Sequence, residues 1–208
     1  MIGSTRSGKS TLINLIPRYY DVTKGSVKVD GVDVRDMTQK ELRDKLGYVP
    51  QKGVLFSGTI DSNIRYGKPE ITDAQVKEAA EVAQATEFID TKPEKYESPV
   101  SQGGTNVSGG QKQRLSIARA IAKDPEIFIF DDSFSALDFK TDSQLRKALK
   151  EYTKDATTVI VAQRISTILG ADQIIVLDDG HMAGIGTHKE LMANCEVYQQ
   201  IARSQLSE

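Results

Sequence analysis

The 208-residue sequence predicts an α/β fold with a mainly parallel sheet and an inserted helical subdomain, and three observations carry that prediction. Strand-like segments at residues 26–30, 46–49, 126–130, 157–162 and 173–177 alternate with helix-like ones, the order that builds parallel sheets. Residues 126–133 read EIFIFDDS, an apolar run followed by two adjacent carboxylates. Such a run is a strand buried on both faces, so Asp131 and Asp132 fall at its carboxyl end, where open α/β sheets bind ligands. Residues 59–91 leave the alternation for continuous helical pattern: TIDSNIRY, then TDAQVKEAAEVAQ behind a Thr72 cap, then TEFID.

Composition bounds the rest. The chain is 38% hydrophobic and 27% charged, enough to bury the core of one domain with two lobes. A net charge of -2 gives no electrostatic footprint for nucleic acid or an anionic membrane surface. The single cysteine, Cys195, excludes an internal disulfide and fits a reducing compartment. No apolar stretch approaches the roughly 18 residues of a membrane span, so the chain as given is expected to be soluble.

Taken in order, the first element is MIGSTRSGKSTL, which contains the phosphate-loop pattern G-x-x-x-x-G-K-S/T as Gly3, Gly8, Lys9 and Ser10. Loop glycines let backbone N–H groups curl around phosphate oxygens, Lys9 supplies a cation, and the Ser10 hydroxyl suits Mg²⁺. The nucleotide contacts are therefore expected along Gly3, Ser4, Thr5, Arg6, Ser7, Gly8, Lys9, Ser10 and Thr11. The following TLINLI has helical spacing up to Pro17, while the strand before the loop is reduced to Met1 and Ile2. Asp30-Gly31 marks a hairpin turn between SVKV and VDV. Residues 92–106 read as a polar surface loop, and Ser108 caps a helix running from about Gly109 to Lys123. An apolar strand ending in an aspartate downstream of a phosphate loop is the second nucleotide element, with Asp131 holding Mg²⁺ directly or through water.

With Ser108-Gly109-Gly110-Gln111 standing between these two elements, the sequence resembles the nucleotide-binding domain of ATP-binding cassette (ABC) transporters. The resemblance covers the whole chain and implies a P-loop NTPase core at residues 1–58 and 125–208, with a helical subdomain and signature helix at 59–124. It implies ATP and Mg²⁺ as ligands, and Gln51 in YVPQ as the glutamine that touches Mg²⁺ and water. Ser135-Ala136-Leu137-Asp138 is similar to the family's D-loop. VLFSGTIDSNIRYG and the closing GTHKELM resemble exporters. The implied setting is the cytoplasmic face of a membrane, with the transmembrane domain of an exporter as partner. By the same resemblance the N-terminal strands and an adenine-stacking aromatic are missing, and the chain alone is expected to be poorly stable and to bind ATP weakly.

Four residues depart from the family pattern. Asp132 stands where a catalytic glutamate is usual, Gln163 where a switch histidine is usual, Gln102 in place of an acidic residue, and Arg6 where a small residue is common. The first two resemble the degenerate half of heterodimeric bacterial multidrug exporters, in which each ATP lies between the phosphate loop of one chain and the signature of a second, non-identical one. Asp132, Gln163 and Gln51 are then the catalytic candidates, Ser108 to Gln111 and Asp138 serve the partner's ATP, and Ser10, Gln51 and Asp131 serve Mg²⁺. Hydrolysis is expected to be weak. Alternatives are a nucleotide-gated dimerisation module without turnover, or an inactive fragment. His181 and His188 read as a turn residue and a helix-start residue.

Overall fold

A computed structural model describes residues 1–206 and divides them into two units, one made of residues 1–43 with those from 159 onward, the other of residues 44–158. Along the chain the elements are β1 (Ile2–Gly3), α1 (Lys9–Ile13), β2 (Lys28–Val29), β3 (Val32–Asp33), α2 (Gln39–Asp44), β4 (Leu46–Val49), β5 (Gly58–Thr59), α3 (Ile60–Ile64), α4 (Asp73–Val82), α5 (Thr86–Asp90), β6 (Pro99–Val100), α6 (Gly109–Ala122), β7 (Ile127–Asp131), α7 (Phe139–Tyr152), β8 (Thr157–Val161), β9 (Ile174–Asp178), β10 (His181–Gly186), α8 (His188–Asn194) and α9 (Glu196–Leu206). The expected strands at 46–49, 126–130, 157–162 and 173–177 all form, each within about a residue of its expected limits.

In the first unit β9 is the middle strand. It pairs in parallel with β1, Ile2 opposite Val176 and Gly3 opposite Leu177, and antiparallel with β10. The other side of β1 is also bonded: Met1 donates its N–H to Ile160 O, and Ala162 N–H donates to Met1 O. Ile2, Ile165, Ile174, Val176, Tyr198 and Ala202 form the buried core here, and α9 packs on β1 and β9. Two hairpins turn on Asp-Gly pairs. Asp30 and Gly31 have φ of 50° and 80° between β2 and β3, as their sequence requires, and Asp179 and Gly180 repeat the geometry at 43° and 77° between β9 and β10. That second hairpin corrects the reading of His181 as a turn residue: it is the first strand residue after the turn, opposite Asp178. Helix α1 also ends sooner than its spacing suggests. Beyond Ile13 the chain continues with i→i+3 bonds from Leu15, Ile16 and Arg18, because the residue before Pro17 is biased away from helical backbone.

The second unit is built around β7, which pairs with β4. β4 and β7 run parallel, from Leu46 opposite Ile127 to Val49 opposite Phe130. Phe128, Ile129 and Phe130 are at most 1% exposed, so the strand is covered on both faces. Helix α6 packs on α3, α4 and β4, and buries Leu115, Ile117, Ala118 and Ile121. In this unit three helices begin with a reciprocal cap: Thr59 with Ser62, Thr72 with Gln75, and Ser108 with Gln111. Residues 92–106 are less irregular than expected, since Pro99–Val100 pairs with Gly58–Thr59 as a two-residue ladder. Among the described residues no helix is long and apolar enough to cross a membrane.

Candidate functional site

The phosphate-loop residues lie between β1 and α1. Gly3 is a glycine because its backbone runs against β9: a Cβ there would meet Leu177 O at 2.1 Å and Ser7 Oγ at 2.8 Å. Gly8 caps α1 at φ 92°, a left-handed backbone that glycine adopts at little cost. Between them Arg6 holds φ 65° without that freedom. Lys9 curls back over the loop, its Nζ donating to Gly3 O at 2.9 Å, Ser4 O at 2.7 Å and Ser7 Oγ at 3.2 Å. Ser7 is buried, whereas Ser4, Thr5, Arg6, Ser10 and Thr11 are exposed. The result is a tight backbone turn with an ammonium fixed across it and exposed hydroxyls on either side, a surface suited to phosphate oxygens.

Asp131 ends β7 and Asp132 follows it, both buried at 6% and 7% exposure. Tyr48 Oη lies 3.5 Å from Asp131 Oδ2. Asp132 has φ 47°, a conformation more tolerable for aspartate than for most side chains, and Ser135 Oγ donates to its carbonyl. Gln51, on the loop after β4, donates through Nε2 to Asp132 Oδ2 at 3.1 Å. Sequence reasoning named these two residues separately, and the fold joins them. An amide that donates through nitrogen keeps its oxygen as an acceptor. The Asp131 carboxylate and the Gln51 amide oxygen are hard oxygen donors, as is the Ser10 hydroxyl in the other unit, and each is a donor type that Mg²⁺ takes.

Ser108 is exposed and caps α6, its Oγ accepting from Gln111 N–H at 3.2 Å while Gln111 Oε1 accepts from Ser108 N–H at 3.1 Å. A Cβ on Gly109 would meet nothing within 4 Å, and one on Gly110 would meet Ala136 O at an ordinary 3.5 Å. The chain's own packing therefore does not require glycine at either position. Asp138 caps α7 by accepting from Thr141 N–H at 2.9 Å, a bond that holds its carboxyl below the usual range. Gln102 Oε1 accepts from Ser57 N–H at 3.2 Å.

Two residues of α6 that the sequence did not single out hold this region. Gln113, 2% exposed, accepts from Gly53 N–H at 2.9 Å and donates to Pro50 O at 3.1 Å, so it brackets the loop that carries Gln51. Arg119 donates to Asn63 O, Val54 O and Asn63 Oδ1, and its guanidinium lies over the stacked rings of Phe56 and Tyr66. Burial pulls its pKa down to about 10. Spacing gives no hint of either role, because the partners are 56 to 65 residues away.

Gln163 follows β8, is exposed, and offers its backbone carbonyl to Gln205 Nε2 at 2.8 Å, while Gln205 Oε1 accepts from Ile165 N–H at 2.7 Å. His188 begins α8, as its sequence position suggests, and shares a 2.8 Å hydrogen bond between Nδ1 and Tyr198 Oη.

Residues 1–135 match the model of the ABC transporter family. An uncharacterized ABC transporter ATP-binding protein of Mycobacterium bovis is 49% identical over 99% of this chain and 35% of its own length. A Staphylococcus aureus protein named for multidrug export as an ATP-binding/permease protein is 47% identical over 96% of this chain and 35% of its own. Among solved structures, a bacterial Atm1-family ABC exporter with ATP bound superposes with a TM-score of 0.94 at 39% identity, over all of this chain and 36% of that one. The chain thus spans about a third of the length of the relatives it matches.

Proposed function

Because the chain belongs to the ABC transporter family, we propose that it is the ATP-binding motor domain of an exporter, working at the cytoplasmic face of a membrane against a transmembrane domain. The observation that carries this reading is the Lys9 ammonium held across the Gly3–Gly8 turn by the carbonyls of Gly3 and Ser4. A fixed cation inside a backbone turn binds phosphate without first having to be ordered. Ser10, Gln51 and Asp131 are the proposed Mg²⁺ ligands, and the bound ion would neutralise charge on the β- and γ-phosphates. The core is assigned to residues 1–58 and 125–208 and the helical subdomain to 59–124.

The finer part of the proposal concerns rate. Asp132 would be the general base, but it is one methylene shorter than glutamate, roughly 1.5 Å of lost reach, and about 1 Å of misplacement can cost on the order of a hundredfold. Its carboxylate already accepts from Gln51. Gln163 can hydrogen-bond a phosphate but cannot take the charge of an imidazolium. Neither change touches the phosphate loop, so ATP would be held longer than it is hydrolysed. The sterically unrequired Gly109, beside an exposed Ser108, supports close approach by something outside the chain: the ATP of a second, non-identical nucleotide-binding domain. The exported substrate would be of the multidrug or lipid-like class, the first of which the name of the Staphylococcus aureus relative supports.

Titration of the chain with ATP and Mg²⁺ tests the reading. Lys9→Ala should weaken binding at least about tenfold, the size of one charge-assisted hydrogen bond. An unchanged Kd in a variant that still melts cooperatively would contradict it.

A further inference from the structure

One side chain joins the helix that Ser108 caps to the loop that carries Gln51. Gln113 lies on α6 five residues after the Ser108 cap, and its amide makes two hydrogen bonds with opposite roles, accepting from Gly53 N–H and donating to Pro50 O. The two bonds straddle Gln51 and Lys52, so that short segment cannot shift relative to α6 without breaking one of them. Space reinforces the link: a Cβ on Gly53 would meet Ser116 Oγ at 2.7 Å and Lys112 O at 2.9 Å, both on α6. At its other end the segment presents Gln51, whose amide reaches Asp132.

We propose that Gln113 is a positioning residue that locks the Gln51 loop to helix α6, so that the Ser108 cap and the Gln51–Asp132 contact move as one body. Any displacement of the signature end of α6 is then delivered to the side chain that holds the second carboxylate. At 2% exposure the Gln113 amide has no water to replace a lost partner, which makes the link stiff. A residue that merely filled space could be replaced by methionine, which has similar length and no hydrogen-bonding amide.

This proposal rests on the ATP-binding reading, and the test separates the two. Gln113→Met and Gln113→Glu are compared with the unchanged chain for ATP affinity with Mg²⁺, single-turnover ATP hydrolysis, and hydrogen exchange at the Gly53 amide. Gln113→Met should leave ATP affinity within about twofold, speed Gly53 exchange at least about fivefold for the lost hydrogen bond, and slow single turnover about tenfold or more through a displaced Gln51. On a Gln51→Ala background the same change should slow turnover no further, since residues acting through one another are not additive. Gln113→Glu, which retains an acceptor for Gly53, should recover part of the exchange protection. Normal turnover and normal Gly53 exchange in Gln113→Met would overturn the proposal. So would a full additional loss on the Gln51→Ala background. If Gln113→Met does not fold, Gln113→Glu decides by turnover, since it loses only the donor to Pro50 O, and turnover equal to the unchanged chain would count against the link. Failure of the unchanged chain to bind ATP even weakly, at about 1 mM nucleotide, would instead overturn the functional reading, while Gly53 exchange still decides whether the clamp exists.

Discussion

The loop at residues 50–53 and the loop at residues 163–165 are held by the same device in different surroundings. Each is bracketed by one glutamine from a helix, which accepts a backbone N–H and donates to a backbone carbonyl two or three residues away: Gln113 on the first, Gln205 on the second. The bonds are of similar length, but Gln113 is buried and Gln205 is exposed. Where water can replace a lost partner, a hydrogen bond is worth little, and where it cannot, the orphaned group costs about 1–3 kcal/mol. The Gln51 loop is therefore expected to be rigid and the Gln163 loop adjustable, although both carry residues proposed for the same chemistry.

The largest expected effect strikes the rigid loop at Gly53. Gly53→Ala should lower the denaturation free energy of the chain by about 3 kcal/mol, because α6 backbone stands in the way of the methyl group and cannot retreat like a flexible side chain. Urea unfolding measures it, and a loss below about 0.5 kcal/mol, the range of an inconsequential surface change, would show that the loop yields. At the other end of the scale, Gln205→Met should change stability by no more than about 0.5 kcal/mol and speed exchange at the Ile165 amide only a few-fold. A loss as large as that of Gly53→Ala would mean that burial does not distinguish the two clamps.

What was legible in the sequence follows from the range of each signal. The strands at 46–49 and 127–131, the Thr72 and Ser108 caps and the Asp30-Gly31 hairpin are written in adjacent residues, so pattern and turn chemistry find them. The hairpin at Asp179-Gly180 carries the same dipeptide signal, but HMAGIG lacks the β-branched alternation that marks a strand; pairing with β9 makes it one. The site was legible as motifs and not as a constellation. Lys9, Asp131 and Asp132 stand out by motif and strand pattern and Gln51 by the family resemblance alone, whereas the contact of Gln51 with Asp132 spans 81 positions and the clamp of Gln113 spans 60 or more. Gly3 shows the same limit: the pattern requires it, but the reason visible here is the Leu177 carbonyl of a strand far along the chain.

The proposed hydrolytic residues are Asp132, which the Gln51 loop holds, and Gln163, which the second loop carries, and with them ATP is expected to be held better than it is broken. The most direct measurement is ATP turnover after changing Asp132→Glu and Gln163→His together in the proposed heterodimer, with the catalytic carboxylate expected on the partner removed. The glutamate must accept the φ of 47° now held by aspartate, so the melting temperature is recorded alongside. Turnover should rise at least about tenfold, a fraction of the loss ascribed to misplacement, with ATP affinity unchanged. A flat rate with ATP still bound and the fold intact would contradict the account and move the limitation away from the second carboxylate.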